Sequence, residues 1–295
     1  MKPLVALPHT VAEIMSRNPI RMRPDERLDI ALALMVSCRF RHLNVMAGGQ
    51  LVGIVSLRDL YAADLSHPAS TRAQRALHLR TIEARQVMSS PVTTVDAGES
   101  HWSAAQTMIG RSISCLPVVD HQRIVGMLTR TDFLRAAMDL LEREPSRGAP
   151  TPVSAIMTPT PIASVRPDDH LDLARSLMAV HHIRHLPVVV ADRVVAILSD
   201  HDLLRGETSD LSPRNPRERL EERSHLEVRD VMTEHVATVD SRDGAFDAAR
   251  LLLKRRFGAL PVLSSGRLVG MLSVTDLFYH LLSYSPTDQL RAAQR

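Results

Sequence analysis

Aromatic side chains are almost missing from this 295-residue chain: five Phe, three Tyr and one Trp make up 3% of it. Its cores must therefore be aliphatic, built from Leu, Val, Ile, Ala and the thirteen Met. The same shortage argues against single-stranded nucleic acid as a partner, because such binding leans on aromatic platforms for the bases. Cysteine is scarcer still. Cys38 and Cys115 form no CxxC pair and stand beside no ligand-spaced Cys/His set, so a disulfide framework or a zinc site has no footing and a reducing, cytoplasmic setting is expected. No stretch approaches the roughly 18 consecutive apolar residues of a membrane span, and the opening MKPLVALPHT, with two prolines, lacks the apolar region of a signal peptide. Charge of one sign is not gathered anywhere: 36 basic residues are interspersed with 33 acidic ones, leaving a formal net charge of +3 that favours anions only mildly. Enzyme signatures are missing too. There is no GxxxxGK[ST], no GxGxxG after a strand and no GxSxG.

What the chain does contain is one pattern written four times. Four segments begin VAEIMS, ARQVMS, VSAIMT and VRDVMT, with the methionine at Met15, Met88, Met157 and Met232. They close on GIVSLRDL, GMLTRTDF, AILSDHDL and GMLSVTDL, with the aspartate at Asp59, Asp132, Asp202 and Asp276. Met22, Val95, Val165 and Val239 each precede the closing aspartate by 37 residues. A middle signature, LPVV or LPVL, starts at Leu116, Leu186 and Leu260, and reads LNVM at Leu43, where the proline is lost.

Each repeat reads as a short strand such as Val92 to Val95, a helix with apolar residues at three- and four-residue spacing (Leu171, Ala174, Leu177, Met178), two strands, and a second helix opening after the Ser or Thr. The expected fold is α+β, with β-α-β-β-α units spanning 11–61, 84–135, 153–205 and 228–279. A unit this small buries only about 60% of its unfolded-chain surface, so neighbours should pair. Polar linkers at 61–83 and 205–227 separate the units, and EPSRGAPTP at 144–152 marks the main division, giving modules 1–143 and 150–285.

These four segments resemble CBS domains, which pair into Bateman modules. The resemblance covers about 200 residues, and four such repeats without a catalytic domain are similar to the nucleotide-sensing gamma subunit of AMP-activated protein kinase and to free-standing prokaryotic CBS proteins. It implies no enzyme activity and no catalytic cofactor, but a regulatory sensor for an adenine nucleotide, with or without Mg2+.

The closing motif has two readings. In one, Ser56, Thr129, Ser199 and Ser273 cap the second helix and the aspartate three residues on completes a capping box. In the other, Asp59, Asp132, Asp202 and Asp276 grip ribose hydroxyls while the Ser or Thr and the helix amides take phosphate. Aspartate at every copy, where glutamate reaches the cap better, favours the second reading. So does glycine inside the strand at Gly53, Gly126 and Gly270, where something must approach closely. Ala196 breaks that glycine pattern.

The residues before the middle signature alternate. Odd repeats carry Arg41-His42 and Arg184-His185, even repeats Ser114-Cys115 and Gly258-Ala259. The resemblance implies phosphate contacts for the basic pairs, and the small residues would leave room for a base, with Ile20, Val92, Ile162 and Val236 as adenine-packing candidates. A solvated strand end is the alternative for the basic residues, since an exposed Arg or His needs no ligand. His181, His182 and His185 form HHxxH, but Pro187 ends the helix too soon for a metal pair, and Lys254-Arg255-Arg256 reads first as a helix C-terminus. The expected partners are a nucleotide, a second copy of the chain by symmetry priors and a separate regulated protein. A ligand-free scaffold and a nucleic-acid binder are the alternatives.

Overall fold

The computed structural model describes residues 10–65, 77–143, 151–208 and 226–283. Most of the linker segments named above lie outside these, including the division near residue 148. Each repeat contributes a first helix, at Leu28–Cys38, His101–Gly110, Leu171–Val180 and Ala245–Arg255. An antiparallel hairpin follows in each: His42–Ala47 with Gln50–Ser56, Cys115–Asp120 with Arg123–Thr129, His185–Val190 with Arg193–Ser199, and Ala259–Ser264 with Arg267–Ser273. The second helices are Leu57–Leu65, Arg130–Arg143, Asp200–Thr208 and Val274–Ser283. The strand expected at Val92 to Val95 is confined to Val95–Asp96, parallel to the first hairpin strand, Cys115–Asp120, and Val92 precedes it in a loop.

A further segment lies ahead of that strand. Each repeat starts with a helical turn, Val11–Ile14, Ala84–Val87, Val153–Ala155 or Val228–Asp230, and the residues after it join the sheet of the neighbouring repeat. Ser16–Arg17 pairs with Met127 and Gly126, Ser89 bridges Ile54, Thr158–Pro159 pairs with Met271 and Gly270, and Thr233–Glu234 pairs with Ile197 and Ala196. The exchange is reciprocal: Val11 N–H donates to the Glu99 carbonyl at 2.8 Å and Ala84 N–H to that of Glu26 at 2.8 Å, and Val153 and Val228 donate likewise to Asp243 and Asp169. Val11, Ala84, Val153 and Val228 are fully buried, each in its neighbour's core. Repeats 1 and 2 form one pseudo-two-fold pair, repeats 3 and 4 the other.

The two pairs then trade second-helix side chains. Leu134, Ala137, Met138 and Leu141 of repeat 2 lie in the core of repeat 4, and Phe278 of repeat 4 lies in that of repeat 2. Leu204 of repeat 3 enters the core of repeat 1, while Tyr61 of repeat 1 packs on that of repeat 3. At about 1.5–3 kcal/mol for each fully buried large apolar side chain, these exchanges contribute strongly to holding the pairs together. Three aromatics meet here: the Phe133 and Phe278 rings pack edge-on at 5.2 Å, and the Arg130 guanidinium lies 5.7 Å from the centroids of Phe278 and Tyr279. Among the described residues no helix is long and apolar enough to cross a membrane.

Candidate functional site

The four Ser/Thr-x-x-Asp motifs are formed capping structures. One carboxylate oxygen, Oδ2, accepts the backbone N–H and the hydroxyl of the cap residue in every copy, at 2.7 and 2.7 Å in Asp59, 2.8 and 2.6 Å in Asp132, 2.9 and 2.5 Å in Asp202, and 2.7 and 2.5 Å in Asp276. Ser56, Ser199 and Ser273 accept the return bond from the aspartate N–H at 3.3–3.4 Å. The helix cap thus uses one oxygen and leaves Oδ1.

In Asp132, Asp202 and Asp276 that second oxygen faces the seam between paired repeats. Ser16 Oγ of repeat 1 donates to Asp132 Oδ1 of repeat 2 at 2.9 Å, Thr158 Oγ1 of repeat 3 to Asp276 Oδ1 of repeat 4 at 3.3 Å, and Thr233 Oγ1 of repeat 4 to Asp202 Oδ1 of repeat 3 at 3.5 Å. Arg135 adds a 2.9 Å bond to Asp132. Asp132 and Asp202 are buried, and burial raises the Asp276 carboxyl above the usual range against the pull of its Ser273 bonds. The donor hydroxyls are residues that the sequence reading passed over. Their signal was present, because every repeat has Ser or Thr directly after its methionine. Ile20, Val92, Ile162 and Val236 are partly buried in the loops that lead away from these seam residues.

The group that approaches the strand glycines is also protein. A Cβ on Gly53 would strike the Met88 side chain, one on Gly126 would strike Met15, and one on Gly270 would strike Met157. The repeat methionine and the strand glycine are thus two halves of the exchange between paired repeats. Likewise the space beside Gly258 is taken by the His185 ring, and His42 Nε2 sits 3.4 Å from Ser114 Oγ. The alternation of basic and small residues therefore matches a histidine in each odd repeat with a small residue in its even partner. Cys115 and Ala259 are buried at the starts of their strands, and burial pushes the Cys115 thiol up to about 12.

The odd repeats meet each other across the module interface. Arg41 donates through Nε and Nη2 to Asp200 Oδ2 and Oδ1, at 3.1 and 3.0 Å. Burial works against the Asp200 charge, but Arg41 outweighs it and holds the carboxyl below its ordinary value. Arg184 is brought down to about 10 by burial and then by Arg41, Arg130 and Arg58. Burial, with Arg184 and Arg41 beside them, holds both His42 and His185 down at about 3. Both imidazoles are neutral at pH 7, so they can hydrogen-bond but bring no charge. Charge at this centre comes from the arginines and Asp200. HHxxH does not form a metal pair on one helix, since the helix ends at Val180 and His185 opens a strand; no cluster of three metal-binding side chains exists among the described residues.

The profile of the CBS domain matches residues 11–66, 84–139, 153–208 and 228–283. The chain belongs to the CBS domain family. This CBS protein is 22% identical over 273 residues to the uncharacterized protein MJ1225 of Methanocaldococcus jannaschii, covering 89% of this chain and 95% of that one. The crystal structure of MJ1225, described as a proposed archaeal homologue of g-AMPK, superposes with a TM-score of 0.76 at 20% identity over 92% of this chain and 99% of that one. A conserved uncharacterized protein from Pyrococcus horikoshii gives a TM-score of 0.60 at 20% identity, over 92% and 100%. The CBS domain-containing protein YhcV of Bacillus subtilis is 33% identical over 128 residues, 43% of this chain and 87% of its own. The likenesses to MJ1225 and to the Pyrococcus horikoshii protein match the four-repeat architecture described above, while that to YhcV covers less than half of the chain.

Proposed function

We propose that this CBS protein is a non-catalytic regulatory sensor that binds adenine nucleotides in the seams between paired repeats and signals to a separate protein through a change in how the repeats sit. What supports the reading most directly is the division of labour within Asp132, Asp202 and Asp276: one oxygen caps its helix and the other turns to a hydroxyl from the partner repeat. A ribose diol presents the same donor chemistry as that hydroxyl, and the helix amides behind the Ser or Thr suit phosphate. A ligand held by both repeats of a pair can act through its differential affinity for two arrangements, typically about 1–3 kcal/mol. The adenine preference is what membership of the family suggests.

The complete capping boxes favour one second reading, a ligand-free scaffold, because they explain the Ser, Thr and Asp positions without a nucleotide. Thermal melting separates the two. AMP, ADP, ATP, S-adenosylmethionine and dinucleotides at millimolar concentration, with and without Mg2+, should raise the melting temperature for at least one compound; a ligand at a hundred times its Kd adds about 2.7 kcal/mol. Asp132→Asn and Asp276→Asn retain an oxygen for the cap and should lose affinity tenfold or more with little change in the unliganded melt. If no compound moves the transition, the scaffold reading stands instead.

A further inference from the structure

The first helices of the four repeats bury equivalent faces but turn different surfaces outward. In repeat 1 (Leu28–Cys38) the outward stripe is Ile30, Ala33 and Ser37, and in repeat 3 (Leu171–Val180) the matching positions hold Leu173, Ser176 and Val180. All six are exposed and none is charged. Ile30, Leu173 and Val180 are 43%, 46% and 72% exposed, and the Ser37 hydroxyl is spent within its own helix, on the Ala33 carbonyl at 2.5 Å. In repeat 2 the same positions are Ser103, Gln106 and Gly110. In repeat 4 they are Asp247, Arg250 and Lys254, the charged surface that an outward helix face ordinarily carries. Both odd helices pack against the second helix of repeat 3, Asp200–Thr208, so they flank the junction where the two pairs meet. One exposed apolar side chain needs no explanation. A matched stripe on two pseudo-symmetric helices does, because repeat 4 shows that the fold accepts Asp, Arg and Lys at these positions.

We propose that the outward stripes of the first helices of repeats 1 and 3 together form a self-association surface that takes a second copy of this chain, its helices antiparallel to these. Each stripe has charge only at its ends: Asp29 or Asp172 in the first turn, and Arg39 or the His181–His182 pair just past the last. Each acid already has an arginine of its own copy beside it, Arg80 at 3.5 Å and Arg175 at 3.1 Å, but Asp172 stays 70% exposed. A second copy turned about a two-fold axis brings acidic ends to basic ends and opposes the helix dipoles. A parallel arrangement sets like against like. A strongly charged partner finds no complement along an uncharged stripe. A helix of 11 residues is only about 16 Å long, and one stripe of that length falls well short of the roughly 800 Å² per partner of a stable interface. Both stripes are therefore needed, and the dimer should be a micromolar one. This surface is separate from the helix faces buried between the pairs, and it does not depend on the nucleotide reading.

Sedimentation equilibrium of the full chain between about 1 and 100 μM is the test, and the wild type should be dimeric at the upper end of that range. Ile30→Glu and Leu173→Glu should each weaken the dimer about tenfold or more, tenfold being close to 1.4 kcal/mol. Ser176→Arg gives repeat 3 the side chain that repeat 4 already carries at Arg250, so it keeps the helix and should weaken the dimer likewise. It decides the matter if a glutamate variant fails to fold. Gln106→Arg, the same change on repeat 2, should leave the dimer as it is. Arg39→Glu should weaken an antiparallel dimer and would tighten a parallel one. The proposal is overturned by a wild-type chain that stays monomeric throughout, by a dimer indifferent to Leu173→Glu and Ser176→Arg, or by tightening with Arg39→Glu. A monomer whose stripes are captured by the regulated protein instead is the first of these outcomes, not an exception to it. Nucleotides that fail to move the melting transition would sink the seam reading and leave this one standing.

Discussion

At the scale of single residues, the side chains that matter most are those whose protonation the fold has already decided. His42 and His185 are held neutral by burial and by Arg184 and Arg41, at about 3 against an ordinary 6.5. The unfolded chain binds protons at both positions below pH 6.5, whereas the folded chain does not until near pH 3. Their neutrality thus supports the fold fully above 6.5, and that support is lost as the pH falls toward 3. Asp200, held below its ordinary value, adds a loss of the same sign at the acid end. Urea midpoints should accordingly be level between pH 7 and 8 and fall steadily from pH 6 to 4. His42→Gln should flatten that slope while leaving the Ser114 side with a hydrogen-bonding neighbour. A slope unchanged by the substitution would show that other groups carry the acid sensitivity. Asn44 is a different residue-scale oddity: it stands where the other repeats have Pro, it is buried, and its Oδ1 has no hydrogen-bond partner, although its N–H reaches the Ile20 carbonyl at 3.2 Å.

At the scale of elements, the hairpins, first helices and second helices were legible because their apolar spacing and turn residues act locally. The leading turn and strand were not. A segment that leaves its own repeat for an equivalent sheet next door carries the same local sequence whichever sheet it joins, so only the glycine and methionine hint at the exchange. Those two residues were read separately, the glycine as an opening for a ligand, when each is the other's packing partner. The alternation of Arg-His with small residues was also visible, but the contact that explains it, His185 against Gly258, spans two repeats. Asp200 was invisible for the opposite reason, being a departure from the repeat and not part of it. The exchange can be tested by adding one methyl group. On Gly126 and Gly270 the new Cβ would lie 2.8 Å from the Ser16 carbonyl oxygen and 2.6 Å from that of Thr158, so the exchanged backbone itself must move. On Gly53 the nearest atoms it meets all belong to the Met88 side chain and none to the backbone, and repeat 3 already accommodates a methyl at Ala196. Gly126→Ala and Gly270→Ala should each cost about 2–3 kcal/mol, and Gly53→Ala under about 1 kcal/mol, in equilibrium denaturation. Equal costs at the three sites would mean that the exchanged strand gives way as easily as a side chain does.

For the whole molecule, the decisive fact is that each pair keeps part of the other pair's core. Within repeats 1 and 2, Phe133, Leu134, Ala137, Met138 and Leu141 are all under 9% exposed, and several of them owe this to repeat 4. A protein of residues 1–143 alone retains the reciprocal strand exchange that makes a pair, so it should fold. It would, however, present this apolar helix face to water, together with an Arg130 deprived of Thr275 and the Phe278 ring. A contiguous apolar face on a pseudo-symmetric pair is relieved most simply by a second copy related by a two-fold axis, with one copy standing in for repeats 3 and 4. Residues 1–143 should therefore sediment as a dimer at micromolar concentration, and Met138→Glu should return them to monomers without loss of helical circular dichroism. In the full chain these helix faces are already covered from within, so homodimerisation of the intact protein would have to use another surface and should survive substitutions on this face that leave the chain folded. A monomeric 1–143 fragment would show that the face between the pairs contributes too little to drive association, and would weaken the case that a ligand held in one pair can move it relative to the other.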